Sequence, residues 1–528
     1  MRRFYSYGPI DTDEHYYVPR KELIENAYTQ LIGHNPQKGG HYITVWSPRQ
    51  CGKTWVMQEV MEKIKQANQY EVGIITMERA KEIKSEKKVL EILIEKLQIA
   101  FNRSFPAINN IDELSRLFTS RYFQDPAILI LDEFDALEEV FINRFAGIFR
   151  DMFISRTNER EKTSREKTCL LHGLALVGVR SVLGIENKSG SPFNVQRSVH
   201  IPNLTYDEVK EMFQWYRKES GQEVEEAVVR ELFEETRGQP GLTCWFGELL
   251  TETYNHDKNN PITMINFKEA YGAATHILPN NNILNLISKV NKPPYDEMIM
   301  EFFKTGDKIE FKLNNKFINY LYMNGVIAEE KVDINEYYVK FSCPFVQKCL
   351  FDYFSNQVFS HLGLLIHPLD AMEDAIDEQR LNISNIIKRY KAYLQKNREM
   401  LFKDVPRRKT DLKIYEAVYH FNLYRYVYDL LKHREVEVIP QFPTGNGKID
   451  LILKYRERVY ALELKSFKDM YTHGKAVQQA AEYGRQLGLK EIVLLVFVEL
   501  NEEEAGELEQ EVEKEGVNVV VIPIGLLP

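Results

Sequence analysis

The chain lacks several things, and each absence narrows what it can do. No apolar run approaches the ~18 residues that span a membrane; the longest, IVLLVFV at 492–498, is strand-sized. No membrane partner is therefore expected. The opening MRRFYSYGPI has basic residues but no apolar stretch behind them, which argues against a secretion signal. The five cysteines (Cys51, Cys169, Cys244, Cys343 and Cys349) are scattered, odd in number and without a CxxC pair. Reduced thiols in a cytoplasm are expected, and a zinc site is not. Positive charge is not in excess either: 68 Lys+Arg against 77 Asp+Glu leave a net charge of −9. That excludes a general nucleic-acid coat, so any such contact must be a local patch. One patch is present, with ten Lys/Arg and three Asp/Glu between Lys388 and Lys413. Its converse, EEEAGELEQEVEKE at 502–515, reads as the solvated face of a helix. Internal repeats and low-complexity tracts are also missing.

What is present has the length for several domains: 528 residues at ~150 per domain suggest three or four. Strand-like runs at 42–46, 71–77, 127–137 (AILILDEFDAL), 174–179 and 198–204 alternate with helical segments at 21–32, 53–67, 87–100 and 111–121. That rhythm implies an α/β fold with a parallel sheet wrapped by helices. Residues 156–168, RTNEREKTSREKT, are charged and aperiodic; they read as a mobile surface loop or as a contact for DNA or a partner subunit. Residues 206–274 are helical with a break at Gly238-Gln239-Pro240-Gly241. Further on, a helix, Gly325, two strand-like pieces and a helix make a winged-helix pattern, which contacts DNA or acts as a lid. The last stretch holds a helix at 411–432, three strands, a helix at 472–487, a strand, a helix at 502–515 and a final strand. The expected organisation is a P-loop ATPase core (1–205), a helical lid (206–280), a winged helix (281–355), a basic helical linker (356–410) and a mixed α/β domain (411–528).

The central motif is Ser47-Pro48-Arg49-Gln50-Cys51-Gly52-Lys53-Thr54, which matches GxxxxGK[ST] except that Ser47 replaces the first glycine. Gly52 lets backbone N–H groups close around phosphate, with Ser47, Gln50 and Cys51 in the cradle. Lys53 supplies a point charge and Thr54 a hydroxyl for Mg2+. The helix that starts here adds its positive end. Downstream, the apolar run 127–131 ends in Asp132-Glu133. Asp132 suits the Mg2+ shell and Glu133 suits polarising an attacking water. ATP is the expected ligand. Arg180, Arg197 and Arg237 are candidates for a trans-acting arginine, or are ordinary surface arginines.

Tyr17-Val18-Pro19-Arg20, the loop itself, SPFNV (191–195) and TRGQPGL (236–242) together resemble bacterial AAA-like ATPases, close to the archaeal-type and STAND ATPases. The resemblance spans roughly 10–350. It implies that Arg20 lies near the adenine, that Gly238–Pro240 senses nucleotide, and that the chain acts as a switch or homo-oligomer.

A second constellation lies near the far end. Asp450 opens IDLILK; Glu463 and Lys465 sit in VYALELK. A hairpin turning near Tyr455–Arg456 brings Asp450 opposite Glu463, and Lys465, two residues on, shares that face. Two carboxylates hold Mg2+ through oxygen, and the metal with a lysine activates water against a phosphodiester. The plainer alternative is a sheet with charged solvent-facing positions. His420, His433 and His473 read as ordinary polar surface residues.

D-x12-E-x-K resembles the PD-(D/E)xK nuclease superfamily, although Lys448-Ile449 stands before Asp450 where the family has proline. The resemblance covers about 411–528 and implies a restriction-endonuclease-like fold. By it, Asp450 and Glu463 are metal ligands, Lys465 is the catalytic lysine, Glu416 completes the metal or water shell, and Gln479 and Tyr483 match the QxxxY accessory pattern. The expectation is an ATP-regulated, Mg2+-dependent nuclease in which Mn2+ substitutes. DNA is the expected substrate and RNA the alternative. Defence against phage or plasmids suits such a fusion by association. The competing readings are a nucleotide-switched scaffold with an inert nuclease-like domain, and a DNA-binding initiator- or loader-like ATPase.

Overall fold

The computed structural model describes residues 1–178, 197–303, 309–359, 372–409, 411–432, 434–444, 447–467 and 470–527. SPFNV, Arg180 and His433 lie outside the described residues. The chain divides into two compact units. One comprises 1–286, 312–328 and 341–344; the other comprises 287–311, 329–340 and 345–528. Among the described residues no helix is long and apolar enough to cross a membrane.

In the first unit, α1 (Lys21–Ile32), β1 (Tyr42–Trp46), α2 (Lys53–Ala67), β2 (Glu71–Thr76), α3 (Glu86–Phe101), β3 (Ala127–Asp132), α4 (Glu139–Asn158), β4 (Leu171–Gly178) and β5 (Arg197–His200) follow in turn. The sheet order is β2-β3-β4-β1-β5, and every pairing is parallel. Strand β3 shows why its sequence is apolar throughout. Leu129 and Leu131 enter a core with side chains of α3 and α4; Ile128 and Ile130 enter the opposite core with those of α1 and α2. Alternate side chains face opposite sides of a strand, so a sheet covered by helices on both faces needs both sets apolar. Each buried Leu or Ile contributes ~1.5–3 kcal/mol.

Two expectations for this unit are corrected. Residues 111–117 form a short 3-10 turn rather than an α-helix over 111–121. The charged stretch 156–168 is neither all loop nor loosely held. Helix α4 runs on to Asn158, and Arg156, Ser164 and Lys167 are buried. The Arg156 guanidinium donates to Cys169 O and to Ser164 Oγ, and Lys167 Nζ donates to Arg156 O at 2.6 Å. Composition marks these residues as polar; backbone carbonyls within reach let them be polar inside.

Helices α5 (Tyr206–Ser220), α6 (Glu226–Thr236), α7 (Pro240–Glu248) and α8 (Met264–His276) complete the helical part. The break at Gly238–Gly241 has a local cause. Arg237 and Gly238 have positive φ, the Gln239 side chain caps α7, and Pro240 takes its first turn. Next come α9 (Asn281–Val290), α10 (Tyr295–Phe302), α11 (Lys316–Met323), the ribbon β6 (Ile327–Asp333) and β7 (Glu336–Phe341), and α12 (Pro344–Val358). This is the expected helix–ribbon–helix order, although its residues are shared between the two units.

The second unit continues with α13 (Ile383–Phe402), α14 (Glu416–Leu431), β8 (Glu437–Thr444), β9 (Gly447–Tyr455), β10 (Arg458–Ser466), α15 (Met470–Gln486), β11 (Glu491–Val498), α16 (Glu502–Gly506), β12 (Gln510–Lys514) and β13 (Val517–Gly525). Its mixed sheet has the order β12-β13-β11-β10-β9-β8. The basic stretch expected to be a linker includes α13, which buries Ile383, Ile386, Ile387, Tyr390 and Leu394 at helical spacing. Tyr390 Oη donates to Asn422 on α14 at 2.9 Å, so α13 is packed structure. The acidic helix expected over 502–515 is also corrected. It ends at Gly506, and 510–514 is an antiparallel edge strand on β13. Val512 packs on the core, while its charged neighbours guard the exposed edge.

Candidate functional site

The first candidate site stands at the carboxyl end of β1, where the chain turns into α2. The turn needs two left-handed residues, Gln50 at φ 57° and Gly52 at φ 85°. Ser47 is not one of them; it is buried, and its hydroxyl donates to Ile201 O at 2.8 Å. The absent first glycine therefore costs this loop nothing in backbone strain. Lys53 is also buried, and its Nζ donates to Ser47 O and Pro48 O, each at 2.9 Å. Thr54 Oγ1 donates to Asp132 Oδ2 at 2.7 Å, although β4 lies between β1 and β3 in the sheet. Glu133 N donates to Asp132 Oδ1 at 3.0 Å. Burial raises the carboxyls of Asp132 and Glu133 above their ordinary range, and Asp135 pushes in the same direction. A hydroxyl and a buried carboxylate in contact fit the two protein oxygens that a Mg2+ ion takes beside a phosphate.

Two further elements clasp the loop. Gln239 Nε2 donates to Arg49 O at 3.0 Å, and Gly241 N donates to Gln50 O at 3.0 Å. Gly325, at φ 78°, sits so close that a Cβ there would lie 2.8 Å from Pro48 Cβ. Arg20 donates to the carbonyls of Pro202 and Asn203 at 2.7 and 3.1 Å and faces Glu208 at 3.5 Å. Cys51, also in the loop, is buried, which raises its thiol. Arg237 pairs with Glu234 one turn back at 2.7 Å, and Arg197 donates to Gln30 at 3.1 Å.

A family model described as an AAA-like domain matches residues 5–252. The match covers 248 of the 528 residues, just under half, and describes that part alone: an AAA-like P-loop ATPase domain, carrying the P-loop and the paired acids. The match stops short of 253–350, to which the resemblance had been expected to extend. No curated protein matches the chain. Among solved structures, the chain is similar to the Walker-type ATPase of Pyrococcus abyssi, with 14% identity, 66% of this chain and 99% of that one covered, and a TM-score of 0.44. It is also similar to Cdc6p from Pyrobaculum aerophilum, with 14% identity, 65% and 96% covered, and a TM-score of 0.37. A third is the ORC2 protein of Aeropyrum pernix, with 12% identity, 67% and 96% covered, and a TM-score of 0.38. At these scores the likeness is loose, and the assignment of the AAA-like domain comes from the family match.

The second candidate site belongs to the second unit. Strands β9 and β10 pair antiparallel, with Tyr455 against Arg458 and Leu451 against Leu462. One residue further on, Asp450 meets Glu463. The bonds follow that register: Leu464 N donates to Asp450 Oδ2 at 2.8 Å, and Asp450 N to Glu463 Oε2 at 3.4 Å. Lys465 Nζ donates to Glu463 Oε1 at 2.7 Å. Glu416, the first residue of α14, accepts Ser466 N at 2.9 Å through Oε2. Its buried Oε1 has no hydrogen-bond partner and lies 4.0 Å from Lys465 Nζ. Gln479 Nε2 donates to Tyr483 Oη at 2.5 Å. Burial raises the Tyr483 hydroxyl to about 12, with the Glu463 charge adding to the shift.

The electrostatics are those of crowded charge. Burial and Glu463 drive the Asp450 carboxyl well above the carboxylate range. Burial opposes the charge on Lys465, yet Glu463, Glu416 and Asp450 hold its ammonium above its ordinary value. Among the described residues no group of three or more His, Cys, Asp or Glu forms a ready-made metal cage. Two carboxylates with one orphaned carboxylate oxygen nearby still fit Mg2+, which is commonly held by one or two protein carboxylates with water and substrate phosphate.

Two residues here escaped the sequence. His420 is buried, not on the surface; its Nδ1 lies 3.4 Å from Asp450 Oδ1, and burial lowers it to about 3. Lys448 Nζ donates to Phe302 O at 3.0 Å. Its spacing of two from Asp450 was the available signal. His473 is likewise buried, with Nε2 2.9 Å from Gln510 Nε2.

Proposed function

We propose that the chain is an ATP-controlled, metal-dependent nuclease, with DNA as the favoured substrate. The observation that carries this reading is the junction of Asp450, Glu463, Lys465 and Glu416 at one buried strand pair. Asp450 and Glu463 would hold Mg2+, or Mn2+ in its place. The bound ion supplies Lewis-acid polarisation and a more acidic water. Lys465, kept charged, offers its ammonium to the phosphate oxygens. Glu416 has Oε2 engaged by Ser466 and offers Oε1 to orient a water molecule. Gln479 and Tyr483 support this shell.

In the AAA-like domain, Lys53 would exchange the carbonyls of its own loop for the β- and γ-phosphates. Thr54 and Asp132 would hold the nucleotide's Mg2+, and Glu133 would orient water for hydrolysis. Arg20 near the adenine, and Gln239 with its neighbours as nucleotide sensor, complete this reading. ATP then changes homo-oligomer or interdomain geometry and exposes the cutting site. A cytoplasmic role in defence against mobile elements is consistent with that design.

The test is plasmid cleavage in Mg2+ or Mn2+, with and without ATP, by wild type, Lys53→Ala and Lys465→Ala. Cleavage lost in Lys465→Ala and altered by ATP only when Lys53 is present supports the proposal. A wild type that cuts under no condition removes the nuclease assignment and leaves a nucleotide-switched scaffold. The helix–ribbon–helix of α11, β6, β7 and α12 favours a second reading, a DNA-binding initiator-type ATPase. A footprint at a defined sequence without cutting would select it.

A further inference from the structure

Seven cations lie between Lys396 and Lys413 in a chain whose net charge is −9. Four of them, Arg407, Arg408, Lys409 and Lys413, belong to a small hairpin. Arg407 bridges Ile414, and Arg408 N donates to Lys413 O at 2.8 Å. The hairpin leads through Ile414 and Tyr415 directly into Glu416. Arg408, Lys413, Glu416 and Ser466 line one cavity of about 30 Å3. Basic side chains thus share a cavity with Glu416, the acid that bonds Ser466 at the end of β10, and with Glu301 and Glu499.

We propose that this hairpin grips the phosphate backbone of a nucleic-acid strand and lays it against Asp450, Glu463 and Lys465; the proposal rests on the nuclease reading. An acidic cluster repels a polyanion, so a cutting site of this kind needs cations close beside it. The hairpin supplies them on a short element tied by backbone bonds. Arg408 is engaged within the hairpin, donating to both carboxylate oxygens of Asp411 at 3.1 and 2.6 Å, but the partners of the other three cations do not compete strongly. Lys409 meets Glu297 at 2.7 Å with the lysine 76% exposed, and Lys413 meets Glu499 at 3.6 Å with the lysine 45% exposed. Exposed pairs of this kind are weak, and a phosphate oxygen can replace the carboxylate. Arg407 is exposed and is held by the carbonyls of Leu412 and Phe402. Its planar fork can meet a phosphate with two parallel bonds.

The experiment measures binding of the full chain to labelled duplex and single-stranded DNA in EDTA across a KCl series, alongside plasmid cleavage in Mg2+. Arg407→Gln/Lys409→Gln is compared with wild type. A control, Lys87→Gln/Lys88→Gln on α3, removes the same charge from exposed positions. If each cation meets one phosphate, the slope of log K against log salt falls by about 1.8 on duplex or about 1.4 on single strands. KM for cleavage rises while kcat holds. Arg407→Lys/Lys409→Arg keeps the wild-type slope, and the control pair leaves it unchanged. A hairpin variant with wild-type slope, or a control that lowers it equally, overturns the proposal. The two readings fail separately. Hairpin-dependent binding without cleavage defeats the nuclease reading alone; cleavage with an unaltered slope defeats the hairpin alone.

Discussion

His420 Nδ1 lies 3.4 Å from Asp450 Oδ1, a contact between a helix and a strand thirty residues apart. It arises because α14 is buried almost all round, including Ala417, Val418, Phe421 and Leu423. A residue one turn after Glu416 therefore lands inside the same cluster. We expect His420→Asn to lower cleavage by about 10- to 100-fold, as loss of a partner behind a metal ligand does. Its melting temperature should stay near that of wild type. Unimpaired cleavage would remove His420 from the site.

Asp450 makes a second prediction, about stability. Its carboxyl is raised by burial and Glu463, whereas in the unfolded chain it titrates near ~3.9. The native state keeps a proton that the unfolded state has lost. Stability therefore falls as pH rises from ~4 through the raised value, and the penalty is complete above it. Asp450→Asn abolishes the penalty. In EDTA the variant should be more stable than wild type at the alkaline end, with the gap closing toward ~pH 4. Thermal melts over pH would show this; a variant that melts lower throughout would count against it.

Gly325 ties the nucleotide loop to the end of α11. Alanine there must keep φ 78° and lose the close approach to Pro48. The conformation alone costs about 1 kcal/mol of stability, and the shift that the Cβ forces on Pro48 disturbs the loop that would hold phosphate, so ATP affinity should fall. Gly272→Ala on α8, where a Cβ meets nothing within 4 Å, should bind ATP as wild type does. Titration with a fluorescent ATP analogue compares the two, and equal affinities would exclude the coupling.

The Arg156–Lys167 cluster predicts resistance. Trypsin should spare both residues in the native chain despite the run of basic sites around them. Arg156→Ala should cost about 2–3 kcal/mol, because it removes charge-assisted bonds to Cys169 O and Ser164. It should open the segment to cleavage. Rapid cutting after Arg156 in the wild type would contradict the packed arrangement.

The sequence alone carried what depends on spacing along one element or across one turn. Lys53 and Thr54 follow Gly52 at the start of a helix, and Asp132 ends a strand apolar on both faces. A hairpin turning at Arg456 sets Asp450 against Glu463, because the period of a strand is two. Tertiary structure decided what depends on elements far apart in the chain. It buried His420 against Asp450, placed Gly325 on Pro48, enclosed Arg156 and made an edge strand of 510–514. Periodicity records which face of an element is apolar. It does not record which polar residue finds a partner inside, since that partner belongs to another element and only packing brings the two within hydrogen-bonding distance.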